Sequence, residues 1–227
     1  MSNFLNSSIG KKFLVSISGL FLITFLLVHL VVNSMILFDS TGVLFNQAAH
    51  FMGTNPIIKF VEPVLAIGFI LHLLYAGIVT LQNQQARPVD YKKQHSGNSS
   101  KWASRNMFIL GSLILIFLVI HISNFFWKMR FTGHELLEQG STDGVENAYL
   151  LVTSLFIDWW WIDIVYVLGA VALGFHLSHA FWAGFQTLGL SNIKWRKRLD
   201  FLGLLYSILV AGGFALIPVW VKIASML

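Results

Sequence analysis

Of the 227 residues, 56% are hydrophobic and only 11% charged, a balance that excludes an ordinary soluble domain and points to a chain built for a bilayer. Cysteine is absent, which removes disulfides, thiolate-held iron–sulfur clusters and covalent C-x-x-C-H haem attachment together. The formal net charge of +5 sits in short segments between apolar stretches, so it reads as a basic membrane face and not as a nucleic-acid surface.

In chain order, Lys11 and Lys12 precede the first uncharged window, Phe13 to Phe38, which carries His29. At about 26 residues it is too long for a signal core, and no Ala-x-Ala-like cleavage site follows, so a retained helix is expected. A loop with Asn46 and His50 leads to Glu62 and the second window, Pro63 to Ala86, which carries His72. The polar connection Gln82 to Lys101 holds Arg87, Lys92, Lys93, His95 and Lys101, with Arg105 just beyond. His121 lies in the third window, Asn106 to Trp127. The longest polar connection, Phe131 to Ala148, contains His134, Glu135, Glu138, Asp143 and Glu146. The piece Tyr149 to Ile157 is apolar but too short to span, and is expected to lie along the outer surface. His176 and His179 share the fourth window, Ile164 to Ile193; Lys194, Arg196, Lys197 and Arg198 follow, and the fifth window, Phe201 to Val221, has no histidine.

These windows are apolar on every side, where barrel strands would alternate, so the expected fold is all-α and polytopic, a single domain of five transmembrane helices. They are expected over about 13–38, 57–86, 104–128, 160–190 and 199–224, with the first four forming a bundle. The segments before the first, between second and third, and between fourth and fifth helices hold 11 of the 15 basic residues, while the alternate segments are acidic. The N-terminus is therefore expected in the cytoplasm and the C-terminus outside, with Trp127, Trp159, Trp160, Trp161 and Trp220 at outer helix ends and Trp102 and Trp195 at inner ones. Ser16, Ser18, Gly19, Gly68, Gly77, Gly111, Gly169 and Gly174 suit close helix contact or a flat macrocycle equally well.

One histidine in each of four successive spans is the pattern that carries chemistry. An ionisable ring at membrane depth is costly and needs a partner, and neutral imidazole is the common nitrogen ligand of haem iron. Zinc is disfavoured because no H-E-x-x-H pair, cysteine or nearby carboxylate accompanies the rings. A proton-carrying transporter would be expected to add Asp or Glu within the spans. Two axial pairs would hold two b-type haems, each iron filled on both sides. By depth, His29 lies level with His121 toward the outside and His72 with His176 nearer the cytoplasm.

His29-Leu30-Val31-Val32-Asn33, Phe45-Asn46-Gln47-Ala48-Ala49-His50-Phe51-Met52, Leu71-His72-Leu73-Leu74-Tyr75-Ala76-Gly77, Ile120-His121 and Phe175-His176-Leu177-Ser178-His179-Ala180-Phe181-Trp182 together resemble the cytochrome b membrane subunit of succinate:quinone oxidoreductases. The similar proteins are the single-chain, five-helix, two-haem type of bacterial succinate dehydrogenases and menaquinol:fumarate reductases. The resemblance implies His72 and His176 on the inner haem, His29 and His121 on the outer one, and His176 in preference to His179 as ligand. It also implies an iron–sulfur subunit and a flavoprotein subunit as partners, menaquinone as the quinone, and the bacterial cytoplasmic membrane as location. With no flavin fold and no cluster ligands, the chain is not expected to act on a dicarboxylate by itself. Asn46, His50 and Glu62 are candidates for the quinone and its protons; Ser16, Lys12, Arg105 and His179 are candidates near haem propionates. The di-haem anchor of a hydrogenase or formate dehydrogenase, and a histidine-based transporter, are the alternatives.

Overall fold

The computed structural model describes residues 7–86, 102–141, 144–190 and 192–227; Arg87, Lys92, Lys93, His95, Lys101 and Asp143 lie outside the described residues. The elements are α1 (Ser8–Phe38), α2 (Val43–Thr54), α3 (Pro56–Gln85), α4 (Trp102–Arg105), α5 (Met107–His121), α6 (Glu135–Glu138), α7 (Ala148–Asp158), α8 (Trp160–Thr187) and α9 (Ile193–Ala224). Past His121, α5 widens into π-helical turns over Ile122–Phe126 and Lys128–Thr132. Among the described residues there is no β-strand, and five helices are long and apolar enough to cross a membrane: Ser8–Phe38, Pro56–Gln85, Met107–Thr132, Trp160–Thr187 and Ile193–Ala224.

The helices overrun the apolar windows at their basic ends. Lys11 and Lys12 fall inside α1, and Lys194 to Arg198 inside α9. Lys and Arg are good helix formers, so hydropathy ends before the backbone does, at the level where their charges reach water. The third span starts later than expected because the chain breaks at Asn106, whose side-chain amide donates to the Trp102 carbonyl at 2.9 Å and closes α4 off from α5.

The chain divides into two compact units. Unit 1 comprises Met1–Phe25, Glu62–Gly111 and Phe175–Ser207; unit 2 comprises Leu26–Val61, Ser112–Gly174 and Ile208–Leu227. In unit 1 small residues let helices approach: Phe21 covers Gly68, Leu20 covers Gly184, and Phe181 covers Gly203. The Tyr206 hydroxyl of α9 donates to the Ile23 carbonyl of α1 at 2.5 Å, tying the fifth span to the first.

In unit 2 the core is organised by α7. Leu151, Val152 and Phe156 of that helix cluster with Ile36, Phe45, Leu137, Ile162, Tyr166, Ile217 and Val221. The segment expected along the outer surface is thus one of the most deeply packed parts of the unit. Hydropathy alone does not separate an interfacial helix from a core plug; its end contacts do. At the start of α7, Asn147 Oδ1 accepts from the Leu150 N–H at 3.0 Å, and Asn46 Oδ1 accepts from the Tyr149 N–H at 2.7 Å. At its end, the Lys222 ammonium donates to the Ile157 carbonyl at 2.7 Å and the Phe156 carbonyl at 3.4 Å, placing a cation on the negative helix terminus. Lys222→Met keeps the stem and removes the donors. It is expected to destabilise unit 2 by about 1–3 kcal/mol, read as a lowered unfolding midpoint in detergent.

Gly42 turns the chain into α2 at φ 75°, and a Cβ there would collide with the Tyr149 ring, so both the left-handed backbone and the close approach require glycine. Asp39 caps this helix: Oδ2 accepts from the Leu44 N–H at 2.8 Å, and Oδ1 from the Thr41 N–H and hydroxyl at 2.9 and 2.6 Å. The Leu44 amide, then the Thr41 hydroxyl, hold the Asp39 carboxyl below its ordinary range. A depressed folded-state value means the cap is fully formed above the ordinary carboxylate range and is lost as pH falls through the lower, folded value. Hydrogen exchange at Leu44 should therefore stay protected through mildly acidic pH and accelerate only in stronger acid.

Candidate functional site

α3 carries His72 and α8 carries His176; in unit 1 their ring centroids lie 6.5 Å apart with the planes at 72°. α1 carries His29 and α5 carries His121; in unit 2 their centroids lie 5.7 Å apart at 88°. The four spans thus form two cross-helix pairs, in the combination expected from depth. His179, one turn from His176 on α8, is half-buried in unit 1.

The spacing has a chemical meaning. A metal-bound imidazole nitrogen stands about 2 Å from its ion, so two rings holding one ion from opposite sides have centroids about 6 Å apart. Both pairs bracket that value. Among the described residues no group of three or more His, Cys, Asp or Glu could hold a metal ion, so neither pair extends into the four-ligand set of a bare zinc ion. A porphyrin supplies its own equatorial nitrogens and asks the protein for axial ligands alone, which is what each pair offers. Buried nitrogens point the same way: Nδ1 of His121 and Nδ1 of His176 have no hydrogen-bond partner. An unsatisfied buried polar atom costs about 1–3 kcal/mol, so packing alone does not account for these rings.

Each pair has its own surroundings. His72 Nδ1 lies 3.1 Å from the Val15 carbonyl oxygen and 3.3 Å from Ser18 Oγ, both on α1. A carbonyl only accepts, so the Nδ1–H donates there and Nε2 keeps its lone pair. In unit 2 the pair is enclosed by aromatic rings. Phe117 stacks on His121 at 5.8 Å, Phe125 and Tyr166 approach it at 5.4 and 5.9 Å, and Phe214 of α9 lies 5.6 Å from His29. The Tyr166 hydroxyl accepts from the Asn124 side-chain amide at 3.2 Å, and Asn33 donates to the His29 carbonyl at 2.8 Å.

The remaining candidates are spread more widely. Ser16 is buried on α1 and Arg105 is exposed at the end of α4, both in the unit that holds His72 and His176; Lys12 is exposed. Asn46 is committed structurally: besides accepting from Tyr149, its amide donates to Asn147 Oδ1 at 3.1 Å. His50 is exposed on α2 in unit 2. Glu62 belongs to unit 1 and stands within α3, which begins at Pro56, so it is not a helix-start acid.

Sequence reading passed over the groups that hold the rings. Ser18 and Gly19 registered as small packing residues, and Val15 acts through its backbone, which leaves no side-chain signature. Phe117 and Phe125 do leave one: they stand four residues before and after His121, on the same helical face. Comparison of the chain with protein-family models, with curated proteins and with solved structures returns no match.

Proposed function

We propose that this chain is a di-haem b membrane anchor that carries electrons between an iron–sulfur subunit and membrane menaquinone, as part of a succinate dehydrogenase or fumarate reductase. The observation that carries the reading is the pair of cross-helix histidine couples, each at bis-imidazole spacing and each in its own compact unit.

A b-type haem held by two histidines would supply one-electron transfer. The protein's part is to hold and insulate. His72 and His176 would hold one group and His29 and His121 the other, and the Phe117, Phe125, Tyr166 and Phe214 rings would keep water from the second. Ser16, Arg105 and His179 serve propionates in unit 1. His50 and Glu62 are the titratable groups assigned to quinone protons; Asn46 serves the same end indirectly, by anchoring α2.

In this reading the chain sits in the bacterial cytoplasmic membrane with its N-terminus inside. Its basic inner segments, including the exposed Lys194, Arg196, Lys197 and Arg198, receive the iron–sulfur subunit, which joins the flavoprotein. A chain of five spans with almost no soluble part leaves the dicarboxylate chemistry to those partners.

The test is the reduced-minus-oxidised spectrum of the purified chain, with haem assayed per polypeptide. Sharp b-type bands and two haems per chain are expected. A spectrum without them rejects the reading and leaves a histidine-based transporter. Co-purification with a hydrogenase or formate dehydrogenase in place of a dicarboxylate oxidoreductase rejects the assigned complex while keeping the haems.

A further inference from the structure

His72 rests on a single stretch of α1. The Val15 carbonyl receives its Nδ1–H at 3.1 Å, and Ser18 Oγ stands 3.3 Å from the same nitrogen while its hydroxyl donates to the Leu14 carbonyl at 2.6 Å. Beside them is Gly19. A Cβ on that residue would come within 3.1 Å of His72 Cε1 and 3.4 Å of Nδ1, closer than side chains ordinarily meet. Val15, Ser18 and Gly19 are spaced i, i+3, i+4, so they share one face of α1. By contrast, a Cβ on Gly77, in the same helix as His72, would meet nothing within 4 Å.

We propose that Val15, Ser18 and Gly19 form a positioning seat for His72. The Val15 carbonyl fixes the tautomer that leaves Nε2 to ligate, Ser18 Oγ backs it as a second acceptor, and the bare Cα of Gly19 fixes the rotation of the ring. The seat rests on the haem reading above and deepens it, because an outer hydrogen bond from a ligating histidine to a carbonyl both orients the ring and raises its basicity. None of the three touches iron in this account; each acts through His72.

The test uses the full chain in its native membrane complex, with Gly19→Ala, Gly19→Val and Gly77→Ala compared with wild type. Haem per chain and the low-field electron paramagnetic resonance signals of the oxidised haems are read, the latter being sensitive to the relative rotation of the two axial rings. Gly19→Ala forces the ring to yield by a few tenths of an ångström. It is expected to displace one of the two haem signals and its midpoint potential, leaving the other signal in place. Gly19→Val is expected to lower haem content to about half. Gly77→Ala, with the same gain in helix propensity, is expected to change neither signal. Unchanged signals in Gly19→Ala, or equal displacement of both, overturn the seat while the haem reading stands. A wild-type complex without b-type haem overturns the reading beneath it, and the seat with it.

Discussion

If the chain holds the two proposed haems, replacing His72 with alanine is expected to leave it with about half of its b-type haem, the His29–His121 site staying loaded. His72, His176, Val15 and Ser18 all belong to unit 1, whereas His29, His121, Phe117, Phe125, Tyr166 and Phe214 all belong to unit 2. Removing an outer partner of a metal ligand typically lowers affinity about 10–100-fold, and removing the ligand itself costs more, so the altered site should empty at ordinary haem supply. The backbone loses little: the Val15 carbonyl lies within α1 and the new alanine favours α3. His121→Ala should give the reciprocal result. Haem assayed per polypeptide, with the spectrum of what remains, distinguishes the outcomes. If His72→Ala removed both haems, or neither, the pairing of His72 with His176 as an independent site would be wrong.

The spans were legible in the sequence because hydrophobicity over about 20 residues is a direct consequence of bilayer thickness. The histidine pairing was legible for a related reason. Successive helices alternate in direction, so position along each window converts to depth, and His29 matches His121 while His72 matches His176. α7 was not legible. An apolar helix of eleven residues carries the same hydropathy whether it lies at a headgroup layer or plugs a core, and the choice is made by Asn46 and Lys222, which are distant in sequence. α3, expected over about 57–86, opens at Pro56 and carries Glu62 inside it although the uncharged window opens only at Pro63, because one carboxylate and one proline two turns in do not stop a helix that tertiary packing supports. The fifth span carries no histidine and so announced nothing, yet it brings Tyr206 to the α1 backbone and Phe214 to His29. Aromatic residues are too common in apolar helices for such roles to stand out beforehand.

Gly169→Ala is expected to be the most disruptive single-methyl change within the membrane-spanning helices of unit 2. The Phe117 ring fills the space where that methyl would go: a Cβ on Gly169 would lie 2.5 Å from Cδ2 and 2.7 Å from Cγ of Phe117. Those are ring atoms near the Cβ, not the far end of a flexible chain, so Phe117 must move as a whole or α8 must withdraw from α5. Overpacking of this kind costs about 1–3 kcal/mol. Phe117 also stacks on His121 at 5.8 Å and 29°, and meets Tyr166 edge-on at 5.1 Å, so its displacement is passed to the ligand ring it supports. A lowered unfolding midpoint should therefore result and, if the proposed haems are bound, it should accompany a changed signal from the one at His29 and His121, with the other unaffected. The decisive variant is the double one. Phe117→Leu trims the side chain that the new methyl strikes, so combined with Gly169→Ala it should recover most of the lost stability, giving a coupling of about 0.5–3 kcal/mol between the two positions. Simple addition of the two single-variant losses would show that Phe117 and Gly169 are not opposed in the folded chain, and would remove the route by which α8 steadies His121.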